Sequence, residues 1–267
     1  LNNEGLSFLI NFFFGPVLNA AKGISDRVSS AIAMFINNFY SAVKPQIVKS
    51  YASGDFTYMK TLAFQSSKFS FFLMLLLSLP LILETHFVLS LWLVDVESSM
   101  VGFTKLILIY SIINVFEFPL TQLVHATGKV KKYQVSVGLF TLLTLPITFL
   151  LFHLGYSAKY AIVVLIVVYS LAYIPRLIIV RNQLNISIYE YFQQVITKSV
   201  IVCLFSIILP LVVVLNIESG LFRMVLTSMI SFFSILISVY IFGINGSERE
   251  LVIHFLRKKI FTFVKIK

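Results

Sequence analysis

Between Lys132 and Lys159 the chain reads YQVSVGLFTLLTLPITFLLFHLGYSA, residues 133–158, a run of 26 positions without Asp, Glu, Lys or Arg. An α-helix needs about 20 predominantly apolar residues to cross a hydrocarbon core about 30 Å thick. This stretch is long enough, and it has company. Residues 224–247 form an uncharged run of 24 between Arg223 and Glu248, and residues 199–217 form one of 19 between Lys198 and Glu218. In lipid, backbone groups are satisfied only within helices or around a closed barrel. Barrel strands alternate apolar and polar side chains, whereas Leu73-Met74-Leu75-Leu76-Leu77 and Ile162-Val163-Val164-Leu165-Ile166-Val167-Val168 do not alternate. The composition agrees: 58% of the 267 residues are hydrophobic, 27 are Phe, and only 12% are charged, about half the share in a soluble domain. The mean hydropathy is +0.95. The reading is an all-α, polytopic membrane protein.

Working outward from that run gives about eight spans, near residues 1–14, 17–43, 69–93, 101–126, 133–154, 160–180, 198–216 and 221–243. Turn residues separate them, including Gly15-Pro16, Ser53-Gly54-Asp55, Thr127-Gly128-Lys129, Leu154-Gly155-Tyr156 and Glu218-Ser219-Gly220. The first span reads as truncated, because the chain opens at Leu1 inside a helical pattern and without a signal peptide. Asp55 is placed as the N-cap of a short interfacial helix over 55–68 ahead of the third span. Loops at 44–68, 129–132, 176–198 and 245–267 hold 16 basic and 4 acidic residues, against 2 basic and 4 acidic at 84–97, 153–159 and 216–223. These two sets alternate along the chain, so the basic set is expected on the cytoplasmic side. The net charge of +10 is thereby a topology signal. Nucleic-acid binding is not expected, since the cations lie between spans and not on one soluble face. The segment from Arg249 to Lys267 reads either as a basic amphipathic helix on an anionic leaflet or as a plain basic tail.

Soluble chemistry finds little support. Cys203 is the single cysteine, and His86, His125, His153 and His254 are scattered. Gly128-Lys129 lacks the first glycine of a phosphate loop, with Leu123 in its place. No enzyme activity, cofactor or metal site is expected.

Charges inside spans are the informative exceptions, because each costs about 2.5–3.5 kcal/mol on insertion scales unless it faces a cavity or a partner. They are Glu4, Lys22, Asp26, Arg27, Lys105 and Glu117. Counted at 1.5 Å per residue from the turns at Gly15 and Gly128, Glu4 and Glu117 each lie about 16 Å deep. Lys105 is close enough to its helix end to snorkel. In the second span Asn19, Lys22, Asp26, Ser30, Ala33, Asn37 and Ser41 recur at spacings of three and four. That is one polar stripe down a helix, suited to lining water or a polar groove. The expected pathway residues are Glu4, Lys22, Asp26, Arg27, Ser30, Asn37 and Glu117.

Three motifs carry a resemblance. Asn11 to Ile24 (NFFFGPVLNAAKGI), Lys44 to Ala52 (KPQIVKSYA) and Ala126 to Val130 (ATGKV) resemble the O-antigen flippase branch of the superfamily that also holds the multidrug and toxic-compound extrusion transporters. The resemblance implies two pseudo-symmetric lobes around a central cavity, worked by alternating access. It implies that residues 1–182 form the second-lobe bundle, and that 183–267 add two further helices and a basic tail. It implies a cargo of lipid-linked oligosaccharide crossing the inner membrane of a bacterium, with the N-terminal lobe of the same protein and membrane lipids as partners. Two alternatives stand beside it. One is an ion-coupled multidrug exporter of the same fold, with Glu4 or Asp26 as the carboxylate for H+ or Na+. The other is a non-transport membrane scaffold or membrane enzyme.

Overall fold

A computed structural model describes residues 2–246 and 248–250, and every regular element among them is helical. Helix α1 is Asn2–Phe14 and α2 is the 37-residue Pro16–Ala52. They are followed by α3 (Phe56–Leu83), α4 (Thr85–Ser90), α5 (Ser98–Asn114), α6 (Glu117–Ala126), α7 (Lys131–Leu142) and α8 (Thr144–His153). The chain continues with α9 (Tyr160–Leu171), α10 (Tyr173–Leu184), α11 (Ile188–Tyr191), α12 (Thr197–Asn216) and α13 (Leu221–Ser238). One π-helical turn, Phe192–Ile196, joins α11 to α12, and another, Val239–Gly243, extends α13.

Six stretches are long and apolar enough to cross a membrane: Phe56–Leu83, Ser98–Ala126, Lys131–His153, Tyr160–Leu184, Ile188–Asn216 and Leu221–Gly243. Three of them are bent where the sequence places a proline. The breaks at Val115–Phe116, Leu143 and Ala172 lie three or four residues before Pro119, Pro146 and Pro175. A proline donates no N–H to the carbonyl one turn back and its ring crowds that carbonyl, so the break falls there. Pro80 and Pro210, by contrast, sit inside unbroken helices.

Several boundaries differ from the expected ones. The interfacial helix expected over 55–68 is not separate: α3 runs unbroken from Phe56, with the Asp55 carboxylate accepting from the Tyr58 N–H at 2.9 Å. That N-cap starts a helix which nothing in 56–79 interrupts, so the segment is the first part of the span. The third span ends at Leu83 and not near 93, where α4 starts a new, short helix. The span expected at 198–216 begins ten residues earlier, at Ile188, because the Ser187 hydroxyl caps the Glu190 N–H at 3.3 Å. Helix α2 continues past residue 43 and through Pro45 to Ala52. At 1.5 Å per residue it is about 55 Å long, more than a bilayer is thick, so one end projects beyond the hydrocarbon. The described residues end at Glu250, so the expected tail from Arg249 to Lys267 lies outside them except for its first two residues.

The packing of α12 and α13 identifies the solvent. Their buried positions are Ser199, Ser206, Thr227, Ser231, Ser234 and Ser238, beside Val202, Pro210 and Ile235. Leu204, Leu209, Leu215, Phe222, Met229 and Phe233 lie exposed. In water this arrangement would be inside out. Between membrane helices, small and hydroxylated residues permit close approach while large apolar ones face the acyl chains. Ser234 Oγ donates across to the Ser206 carbonyl at 3.1 Å. A larger apolar cluster centres on Phe64, Phe71, Leu75 and Leu79 of α3 and reaches Val202 and Ile235. A smaller one joins Leu6, Ile10, Phe103, Phe152 and Ile162 from α1, α5, α8 and α9.

Long-range ion pairs place the loops. Lys60, in the first turns of α3, meets Glu190 at 2.9 Å, and Lys68, near the middle of the helix, meets Glu248 at 2.7 Å. At its other end Glu84 meets Arg223 at 2.9 Å and accepts from Thr227 at 3.1 Å. Lys60 and Glu84 are about 36 Å apart by helical rise. Every one of these pairs joins two segments that the charge pattern had assigned to the same side.

Candidate substrate path

The site is built on α2. Its inward face meets α5 through hydroxyl pairs, Ser25 with Thr104 at 2.9 Å and Ser29 with Ser111 at 2.7 Å. These short side chains bring the helices close, and below them α5 bends away. A cavity of about 430 Å³ opens there between α2, α3, α5 and α6. Its polar lining includes Ser29, Asn37, Tyr110, Asn114, Glu117 and Thr121. On α5 and α6, Ser111, Asn114, Glu117 and Thr121 follow one another at spacings of three and four, a second polar stripe facing that of α2. Asn114 keeps a buried side-chain oxygen without a protein partner.

The bend itself is held from both sides. Pro119 cannot donate to the Val115 carbonyl, and the Tyr40 hydroxyl from α2 takes that place at 2.5 Å. The neighbouring Ile113 carbonyl accepts from the Tyr173 hydroxyl of α10 at 2.9 Å. Tyr40 also stacks on Phe118, with ring centroids 3.9 Å apart. Just past the bend, Glu117 Oε1 accepts from Arg176 Nη2 at 2.6 Å. The partners differ in exposure: Arg176 is 1% exposed and Glu117 33%. Arg176 also lies over the Tyr173 ring, 5.3 Å from its centroid, while its Nε and Nη1 find no acceptor among the described residues.

A smaller cavity of about 200 Å³ shares Ser29 and Tyr110 with the first and is lined further by Asn2, Asn3, Asp26, Ser30 and Tyr169. Lys22 lies beside it, fully buried between α1 and α2. Its ammonium donates to Asp26 at 2.7 Å, Asn3 at 2.6 Å and Ser7 at 3.2 Å. Lys22 and Asp26, four residues apart on one helix face, thus form an ion pair.

Of the residues singled out in the sequence, Asp26 and Ser30 line the smaller cavity, and Asn37 and Glu117 the larger. Lys22 joins them through Asp26. Glu4 and Arg27 are exposed on α1 and α2, outside both linings. Lys105, assigned to a helix end, is exposed on α5. Sequence reasoning missed Arg176, which the charge pattern counted with the loops. It lies within the span Tyr160–Leu184, buried against Glu117. It also missed Tyr40 and Tyr173, for which the position of Pro119 was the available signal.

The MatE family profile matches residues 5–150, which include α2, α3, α5 and α6 and so all of the larger cavity's lining. No curated protein and no solved structure matches the chain. With more than half of its length matched and six helical stretches long and apolar enough to cross a membrane, the chain belongs to the MatE family of membrane transporters.

Proposed function

We propose that the protein moves a lipid-linked oligosaccharide across the inner membrane of a bacterium by alternating access. The observation that carries this reading is the cavity lined by Ser29, Asn37, Tyr110, Asn114, Glu117 and Thr121. Hydroxyl and amide groups of that kind match sugar hydroxyls, and the Glu117–Arg176 pair leaves no net charge from its own two members. Arg27, exposed on the same helix as the cavity's Asn37, is assigned to the phosphate that links sugar to lipid, since a guanidinium presents a planar fork suited to phosphate oxygens. In this reading residues 1–182 form the transport bundle and 183–267 an accessory helical pair, with the basic loops cytoplasmic. The motifs at 11–24, 44–52 and 126–130 favour the flippase branch. An H+- or Na+-coupled drug exporter is the second reading, favoured by the carboxylate of Asp26 at the smaller cavity.

The test is reconstitution of the protein as its gene encodes it into liposomes carrying a fluorescent lipid-linked oligosaccharide. Transfer between leaflets should rise at least about fivefold over protein-free vesicles, and Arg27→Ala should remove most of the gain. Transport of cationic dyes without movement of the oligosaccharide would replace this reading with the exporter.

A further inference from the structure

We propose that Arg176 is a specificity-determining residue: it cancels the charge of Glu117 at the cavity and thereby keeps organic cations out of the path. The inference rests on the reading of this cavity as the substrate path. Glu117 is the acidic residue in the lining, on the first turn of α6, and a third of it is exposed. Alone, a half-hydrated carboxylate in a cavity with an aromatic and aliphatic floor (Tyr40, Phe118, Met74 and Ile36) would be a binding site for a lipophilic cation. Charge attraction and ring faces would act together there. Arg176 removes that possibility from behind. Its guanidinium is 1% exposed, so it takes no space in the cavity, yet one nitrogen stands 2.6 Å from Glu117 Oε1.

The geometry also explains why the pair stays closed. Arg176 is held on α10 against the Tyr173 ring, and the Tyr173 hydroxyl in turn holds the Ile113 carbonyl at the bend. Tyr40 holds the Val115 carbonyl two residues further on. The first turn of α6 is therefore fixed relative to α10, and Glu117 with it. Arg176 acts through Glu117 and does not line the cavity, which makes it a positioning residue with an electrostatic role.

A matched pair of ions, tetraphenylphosphonium and tetraphenylborate, tests this, since they share a shape and differ in sign. Binding of each to the purified protein would be measured by equilibrium dialysis for wild type, Arg176→Gln, Arg176→Lys and the double variant Arg176→Gln/Glu117→Gln. Arg176→Gln should bind the phosphonium about tenfold more tightly than wild type and the borate more weakly. The double variant should lose the gain, and Arg176→Lys should resemble wild type. Circular dichroism confirms that each variant is folded. The proposal is overturned if folded Arg176→Gln shows no change in its preference between the two ions. It is overturned equally if the double variant keeps the gain, because Glu117 is then not the group unmasked. Neither outcome touches oligosaccharide transfer by the wild type, so the two claims fail separately.

Discussion

Arg176 and Glu117 are unequal partners. The arginine is enclosed and the carboxylate is one third exposed. Removing Glu117 leaves a buried cation with no counter-charge among its described contacts, a loss of about 3–5 kcal/mol for buried pairs. Removing Arg176 leaves a carboxylate that water can reach. Glu117→Gln should therefore lower the unfolding temperature in detergent clearly more than Arg176→Gln does, and equal effects would contradict the burial of Arg176. This pair also marks how far single residues were legible. Glu117 stood out as a charge deep in an apolar run. Its partner is 59 residues away and lies near the end of another run, where an arginine reads as an ordinary flanking cation. Pro119 marks the break between α5 and α6, but no local pattern says that α10 packs there and brings Arg176 to Glu117. Lys22 shows the reverse case. Its pairing with Asp26 follows from a four-residue spacing, but its enclosure by Asn3 and Ser7 depends on how α1 docks.

At the scale of elements, the bends decide the site. Three spans break just upstream of Pro119, Pro146 and Pro175, while α3 and α12 run straight through Pro80 and Pro210. A missing N–H is common to all five, and a neighbour's hydroxyl takes the freed carbonyl both in a broken span, at Val115, and in an unbroken one, at Ser206, so that donor lowers the cost of the missing bond without setting the break. At Val115 a tyrosine hydroxyl replaces the helical donor, so the bend costs little. Tyr40→Phe removes that donor and leaves a buried carbonyl unpaired, which should destabilise the protein by about 1–3 kcal/mol. Chemical denaturation in mild detergent checks this. A loss below about 0.5 kcal/mol would mean that the carbonyl has another partner. Span positions were readable from uncharged runs because lipid enforces length and composition at once. Span ends were less so: Ile188 and Phe56 begin helices at caps inside polar sequence, which hydropathy alone assigns to loops.

Across the whole molecule, two solvents shape one chain. Lipid accounts for the inverted packing of α12 and α13, and the ion pairs made by Lys60, Lys68 and Glu84 tie α3 and its C-terminal cap to later segments. A polar cavity bounded by α2, α3, α5 and α6 is the other environment. Exposure alone does not separate the two environments. Phe35 is 61% exposed and lines an apolar groove with Ile32, Leu77, Pro80 and Leu91, whereas Ser30 and Asn37, also exposed on α2, line the polar cavities. The central claim is that this second face meets water and the first meets lipid. Single cysteines at positions 28, 30, 35 and 37, in a Cys203→Ser background within native membranes, test it with a membrane-impermeant thiol reagent. Cysteines at 30 and 37 should react at least about tenfold faster than those at 28 and 35, because thiolate formation requires water. If positions 28 and 35 react as fast as 30 and 37, α2 has no polar face, and the substrate path assigned to it does not exist.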